Sequence, residues 1–190
     1  AQLISQSQRP VLYIGGGVVK AEAHAELLEF AELTGIPVVT TLMALGAFPQ
    51  QHPLYMGMPG MHGSVPAVGA LQEADLLIAI GTRFDDRVTG DAATFAPHAK
   101  TIHADIDPAE VGKIRDVDVP IVGDAKRVLA QLVDAFRDAT RNTSPEIGPW
   151  LKRLNSLKER FPRGYDEAED GTLSPQFVIE TLSQVVGPEA

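Results

Sequence analysis

Val11-Leu12-Tyr13-Ile14-Gly15-Gly16-Gly17 joins four apolar residues directly to three consecutive glycines. An unbroken apolar run of this length reads as a parallel strand buried on both faces. The glycines remove every side chain where the strand turns toward the next helix. Backbone N–H groups can then approach a phosphate closely, and a tight turn with positive φ carries no steric penalty. The same glycines also suit a close crossing of helix and strand with no ligand at all. Both readings stand on this stretch alone.

The pattern then repeats along the chain. Ala21–Thr34 has helical spacing and Gly35 as its stop, and Pro37–Thr40 is a short strand. Met43–Gly63 is rich in Gly, Pro, Met and aromatics without a period, a long loop of the kind that usually serves a function. Ser64–Ala74 reads as a helix, Asp75–Ile80 as a strand, Phe84–Ala96 as a polar run and Lys100–Ile106 as a strand. Asp107-Pro108-Ala109-Glu110 has the form of a capping box opening a short helix. Val117–Val122 is a further strand, and Val128, Leu129, Leu132, Val133 and Phe136 line one helix face. Strands alternating with helices predict an α/β fold, a doubly wound, Rossmann-like parallel sheet of about five or six strands with right-handed crossovers.

Residues 1–140 hold this pattern, and 141–190 read as a C-terminal helical segment. There Ser144-Pro145 opens a helix striped by Ile147, Trp150, Leu151, Leu154, Leu157 and Phe161. Pro162–Gly171 reads as an exposed linker, and Ser174-Pro175 caps a helix over Gln176–Val186. The chain starts without Met and stops at Gly187-Pro188-Glu189-Ala190, so both ends read as cuts through a longer protein.

Composition narrows the partners. A formal net charge of -9 argues against a nucleic-acid backbone or an anionic membrane. No cysteine is present, which removes disulfides, thiolate metal sites and thiol nucleophiles. No apolar run approaches a membrane span and no signal sequence precedes the domain, so the chain reads as cytoplasmic.

The chemistry-bearing residues fall just after predicted strands: Gly15–Gly17, Thr40-Thr41, Gly81-Thr82-Arg83, Asp105-Ile106-Asp107 and Gly123-Asp124. In an open parallel sheet that edge forms the ligand crevice. Glycine N–H groups with Arg83 and Arg87 suit a pyrophosphate, and Asp105 suits a ribose or ribityl hydroxyl. A simple nicotinamide site fits less well, because the glycines are contiguous and the second strand ends in threonines rather than an acid. Asp85-Asp86 reads as a capped loop pair, and His52, His62, His98 and His103 lack metal-ligand spacing. Of these, His62 in the long loop is best placed to touch a ligand. The sequon Asn142-Thr143-Ser144 has no bearing on a cytoplasmic chain. No residue is assigned to catalysis and none to a metal.

PVLYIGGG, GIPVVTTLMALGAFP, HPLYMGMPGMHG, ADLLIAIGTRFDDRVTG, IHADIDPAEVGK and VPIVGDA together resemble the central domain of the acetolactate synthase (acetohydroxyacid synthase) family. These are thiamine-diphosphate transferases of branched-chain amino-acid biosynthesis. The resemblance spans Arg9 to Phe136, and LSPQFVIETL is similar to the lead-in to the family's thiamine-diphosphate domain. It implies that residues 1–140 bind FAD in an extended pose without redox chemistry, as part of an enzyme that condenses two 2-keto acids such as pyruvate with loss of carbon dioxide. Carried across, Gly15, Gly16, Gly17, Thr40, Thr41 and Leu42 would contact the phosphate region. Pro59, Gly60, Met61 and His62 would line the flavin. Gly81, Thr82, Arg83, Asp85, Arg87 and Val88 would hold the pyrophosphate and ribityl chain. Asp105, Ile106, Gly123, Asp124 and Ala125 would surround the adenosine. Met61, Asp85 and Arg87 also resemble positions at the family's substrate channel, where herbicidal inhibitors sit.

The resemblance also marks what is missing. The family's catalytic glutamate lies in an N-terminal domain outside this chain, and its GDG–NN metal motif lies in a C-terminal one. Glu169-Asp170-Gly171 matches that motif only faintly, with too few residues after it for the asparagines. Thiamine diphosphate and magnesium are thus expected in the parent enzyme and not on this chain, which alone should be inactive. Implied partners are the parent's other domains, further copies of the parent and a regulatory subunit. Rival readings are a related central domain that binds ADP or no nucleotide, a stand-alone NAD-binding domain, and a purely structural module.

Overall fold

A computed structural model of the 190-residue chain describes residues 1–138, 143–162, 164–166 and 171–187. Six strands form one sheet: β1 (Pro10–Ile14), β2 (Val38–Thr40), β3 (Tyr55–Gly57), β4 (Leu76–Ile80), β5 (Lys100–Asp105) and β6 (Val119–Val122). Their order is β3-β2-β1-β4-β5-β6 and every pair is parallel. The predicted α/β, doubly wound class is what the chain adopts. Every residue of β1, β2 and β4 is buried, as expected for strands covered on both faces. By contrast β6 is a largely exposed edge strand.

The helices are α1 (Gln2–Ser5), α2 (Gly16–Lys20), α3 (His24–Thr34), α4 (Val65–Glu73), α5 (Asp86–Thr89), α6 (Ala125–Arg137), α7 (Gly148–Arg160) and α8 (Pro175–Val186). The helix predicted over Ala21–Thr34 begins only at His24, since Glu22 takes a φ of +50° in the turn that separates α3 from the short helix α2. Gly35 ends α3 at φ +70°, the left-handed stop foreseen for it. Phe30 of α3 meets Phe136 of α6 edge-on at 5.7 Å. On α4 the Ser64 hydroxyl accepts from the Ala67 N–H, with Pro66 tolerated in the first turn.

Three expectations need correction. The long loop contains β3, too short to show a period, together with a 3-10 turn at Leu42–Ala44. Asp107–Glu110 is a turn rather than a helix: the Asp107 carboxylate accepts from Ala109 N–H, but Gly112 at φ +76° ends the segment before a helix can propagate. The helix expected from Ser144 begins at Gly148, because the Ser144 hydroxyl donates to the Leu33 carbonyl instead of capping.

From there α7 packs on the domain through α4. Trp150, Leu154 and Leu157 are buried, and the Trp150 indole N–H donates to the Pro10 carbonyl at 3.1 Å. Phe161, expected on the same stripe, is exposed. In α8 no residue is buried. The sequon's Asn142, part of the Pro162–Gly171 linker and the Glu169-Asp170 pair lie outside the described residues. Among those described, no helix is long and apolar enough to cross a membrane.

Candidate functional site at the carboxyl edge of the sheet

Because all strands are parallel, their C-terminal tips share one edge. The register aligns them: Ile14 lies opposite both Thr40 and Ile80, Ile80 opposite Ala104, and Asp105 opposite Val122. The chain leaves β1 toward β2 and β3, then returns to lay β4, β5 and β6 on the other side. That reversal opens a crevice at the tips of β1 and β4. The predicted residues Gly15–Gly17 and Gly81–Arg83 meet there.

The three glycines do different work. An added Cβ on Gly15 would stand 2.2 Å from the Gly81 carbonyl oxygen and 2.4 Å from Thr82 Cα; on Gly17 it would stand 2.6 Å from Gly81 Cα. These two therefore let the β1 and β4 turns pass, and their N–H groups already donate to Ile80 O (3.0 Å) and Gly81 O (2.9 Å). Gly16, by contrast, opens α2 next to exposed Met43, and among the described residues no carbonyl takes its N–H. Gly81 itself turns the chain at φ +58°.

Around this center the predicted side chains divide. Thr40 and Thr82 are buried; Thr40 Oγ1 shares a hydrogen bond with the Tyr55 hydroxyl at 2.9 Å, and Thr82 Oγ1 donates to Arg83 O at 3.3 Å. Thr41 donates its N–H to Ile14 O, while Leu42 and Met43 project into solvent with 66% and 73% exposure. Arg83 is exposed and pairs with Asp85 at 3.2 Å. Asp85 accepts the Arg87 N–H as the cap of α5, and that bond holds its carboxyl below the usual range, with the nearby Arg83 and Arg87 charges acting the same way. The Arg87 guanidinium is surface-exposed, 3.8 Å from Asp86.

Pro59, Gly60 and Met61 fold back onto Arg87 and Val88, lining a groove of about 390 Å³ with Phe95 at its floor. A Cβ on Gly60 would sit 2.8 Å from Arg87 O, so the loops after β3 and β4 touch although two strands separate them in the sheet. His62 belongs to a different groove, about 520 Å³, with Tyr55, Ser64 and Phe161. At the far end, Asp105 is half-buried and its Oδ1 accepts the Asp107 N–H at 2.9 Å; Ile106 is exposed. Gly123 donates to Asp105 O, Asp124 caps α6 through Arg127 N–H, and Ala125 is buried beneath. A larger cavity, about 710 Å³, lies beside Arg9, Glu73 and Arg153 at the opposite end of the strands and contains none of the predicted residues.

Two buried groups under the crevice, Tyr13 and His103, make contacts that the strand pattern and the metal-ligand spacing do not reveal. Tyr13, whose hydroxyl burial pushes up to about 12, reaches Arg83 O at 3.4 Å, and His103 Nε2 meets Thr82 O at 2.9 Å. Those patterns do not mark Arg115 either, which fastens the 95–99 loop to β5 by bonds to Phe95 O, Ala96 O, Ala99 O and Thr101 Oγ1. His103 carries no such mark in the sequence, because its strand, Lys-Thr-Ile-His-Ala-Asp, alternates polar and apolar residues from Thr101 to Asp105.

This arrangement has known relatives. The family model for the thiamine pyrophosphate enzyme central domain matches residues 1–132. The chain belongs to that family. It is similar, at 66% identity over 189 residues, to the acetolactate synthase large subunit of Corynebacterium glutamicum, covering 100% of this chain and 30% of that protein. Identity to acetolactate synthase large subunit IlvB1 of Mycobacterium tuberculosis is 57% over 190 residues, 100% of this chain and 31% of that one. To acetolactate synthase 1, chloroplastic, of Zea mays it is 46% over 189 residues, 100% of this chain and 29% of that one. This thiamine pyrophosphate enzyme central domain thus spans about 30% of the length of these curated relatives.

Proposed function

We propose that this chain is the central domain of an acetolactate synthase large subunit and that its carboxyl edge holds FAD lengthwise. The observation that carries this is the crevice itself. An unused Gly16 N–H stands at the reversal point, exposed Arg83 follows the β4 tip, Arg87 lies just beyond it in α5, and Leu42, Met43 and Met61 are exposed in the loops after β2 and β3. Charge-assisted donors suit a diphosphate, and solvent-facing methionine and leucine suit a flat, polarizable ring. From β2 to β6 the tips span about 19 Å at ordinary strand spacing, room for a nucleoside on each side of a pyrophosphate. The residues present therefore fit FAD.

Among the described residues no three His, Asp or Glu side chains gather as metal ligands. In the parent enzyme, thiamine diphosphate with magnesium supplies the chemistry that decarboxylates pyruvate and joins the product to a second 2-keto acid. This domain's residues bind and orient FAD, form one wall of the channel through Met61, Asp85 and Arg87, and pack against the parent's other domains. A cytoplasmic, homo-oligomeric parent with a regulatory subunit belongs to the same proposal.

Titrating the chain with FAD, followed by flavin absorbance and fluorescence, and separately with ADP, tests the reading. FAD is expected to bind more tightly than ADP, and Arg83→Ala to weaken FAD by about tenfold to a hundredfold, the loss of a charge-assisted hydrogen bond. Absence of FAD binding, or an Arg83→Ala chain with unchanged affinity, refutes it.

A further inference from the structure

Tyr13, Ala79 and His103 are register partners across β1, β4 and β5, so all three project from one face of the sheet. The small Ala79 leaves space that Phe84 fills, its ring 5.8 Å from Tyr13 and 5.3 Å from His103. His103 is fully buried and its Nε2 lies 2.9 Å from the Thr82 carbonyl oxygen. A carbonyl oxygen only accepts, so Nε2 carries the hydrogen. The other ring nitrogen, Nδ1, is buried with no partner. An imidazole with one nitrogen left unsatisfied is a costly filler for a space that Leu or Phe would occupy without penalty. Packing alone does not call for histidine here.

The Thr82–Arg83 peptide is trans, so the Arg83 N–H points opposite to the Thr82 carbonyl. With that carbonyl drawn down onto His103, the Arg83 N–H is turned away from the sheet, at a residue whose side chain is 69% exposed. We infer that His103 is a positioning residue for the dinucleotide: its Nε2–H fixes the Thr82–Arg83 peptide so that the Arg83 N–H, beside the Arg83 guanidinium, faces a phosphoryl group. Without that bond the peptide is free to turn over, and a carbonyl acceptor would meet the diphosphate where a donor had been. This rests on the FAD reading above.

The test compares His103→Leu, which removes the donor, with His103→Gln, whose amide nitrogen occupies the Nε2 position. Each 190-residue chain is titrated with FAD, with the ³¹P resonances of the bound diphosphate and the thermal midpoint recorded. His103→Leu is expected to lose about tenfold in FAD affinity with a moved ³¹P signal, and His103→Gln to restore both. A His103→Leu chain that binds FAD like wild type, or a Gln variant no better than Leu, overturns the inference. Ring ¹⁵N shifts of ligand-free wild type decide independently of any nucleotide and of whether the Leu variant folds: the Nε2–H tautomer supports it and the Nδ1–H tautomer sinks it. Failure of the wild-type chain to bind FAD, with the Nε2–H tautomer present, instead overturns the dinucleotide reading.

Discussion

Adding one methyl group in turn to each of Gly15, Gly16 and Gly17 separates packing from ligand access at the β1 turn. On Gly15 the new Cβ would lie 2.2 Å from Gly81 O, 2.4 Å from Thr82 Cα and 2.5 Å from Thr82 Cβ. Two of those are backbone atoms of a turn already held by Gly81 N–H to Ala104 O and Gly17 N–H to Gly81 O, so neither side can yield locally. The tips of β1 and β4 must part, weakening the Gly15 N–H to Ile80 O bond. Overpacking of this kind costs about 3 kcal/mol or more. For a chain of this size that lowers the melting temperature by roughly 6–12 °C. Gly17→Ala, with its nearest contact at 2.6 Å to Gly81 Cα, is expected to follow closely. Gly16→Ala meets one residue, exposed Met43, with its Cβ at 3.1 Å and its carbonyl oxygen at 3.4 Å, and replaces a glycine at the start of a helix. Its small strain is offset by helix propensity, leaving a net change within about 0.5 kcal/mol. Urea unfolding of the three variants, with slopes compared to ensure a common unfolded state, reads this out. The reasoning is refuted if Gly15→Ala costs under about 1 kcal/mol, or if Gly16→Ala costs as much as Gly15→Ala.

Two further outcomes follow from contacts away from the crevice. Arg115→Ala removes three bonds to the 95–99 loop and one to Thr101 of β5 and is expected to destabilise by about 2–4 kcal/mol, with amide exchange of Ala96 and Ala99 rising first; uniform exchange across the sheet instead would contradict a local staple. Glu73 is held below its ordinary value by its hydrogen bonds from Arg153, so the pair's contribution is complete above the unfolded carboxyl's range and disappears as pH falls through the lowered folded value. Arg153→Met should therefore lower stability slightly at pH 7 and flatten the acid limb below about pH 4.5, and an unchanged acid limb would show that the pair contributes nothing.

The alternation of strands and helices in the sequence announced the doubly wound sheet, because buried parallel strands such as Leu76–Ile80 cannot conceal their apolar runs. Tyr55–Gly57 was illegible for the opposite reason. Three residues show no period, and their pairing to β2 shifts register between Val38 and Val39. Asp107–Glu110 carried a helix-opening signal that local chemistry honored only as far as one turn, since a cap stabilises a helix without nucleating one.

The order of residue types along the chain sufficed to place five clusters of glycine, threonine, arginine and aspartate at strand ends, because a parallel sheet puts every such end on one edge. Which of those groups remain available was a matter of three-dimensional neighbors. Gly15 and Gly17 are committed to the crossing of two turns, Thr40 and Thr82 face inward, and a histidine two strands away from Gly15 orients the Arg83 peptide. A hydrogen bond needs its partner within about 3 Å, and residues 21 apart in the chain acquire that proximity only when β4 and β5 lie side by side.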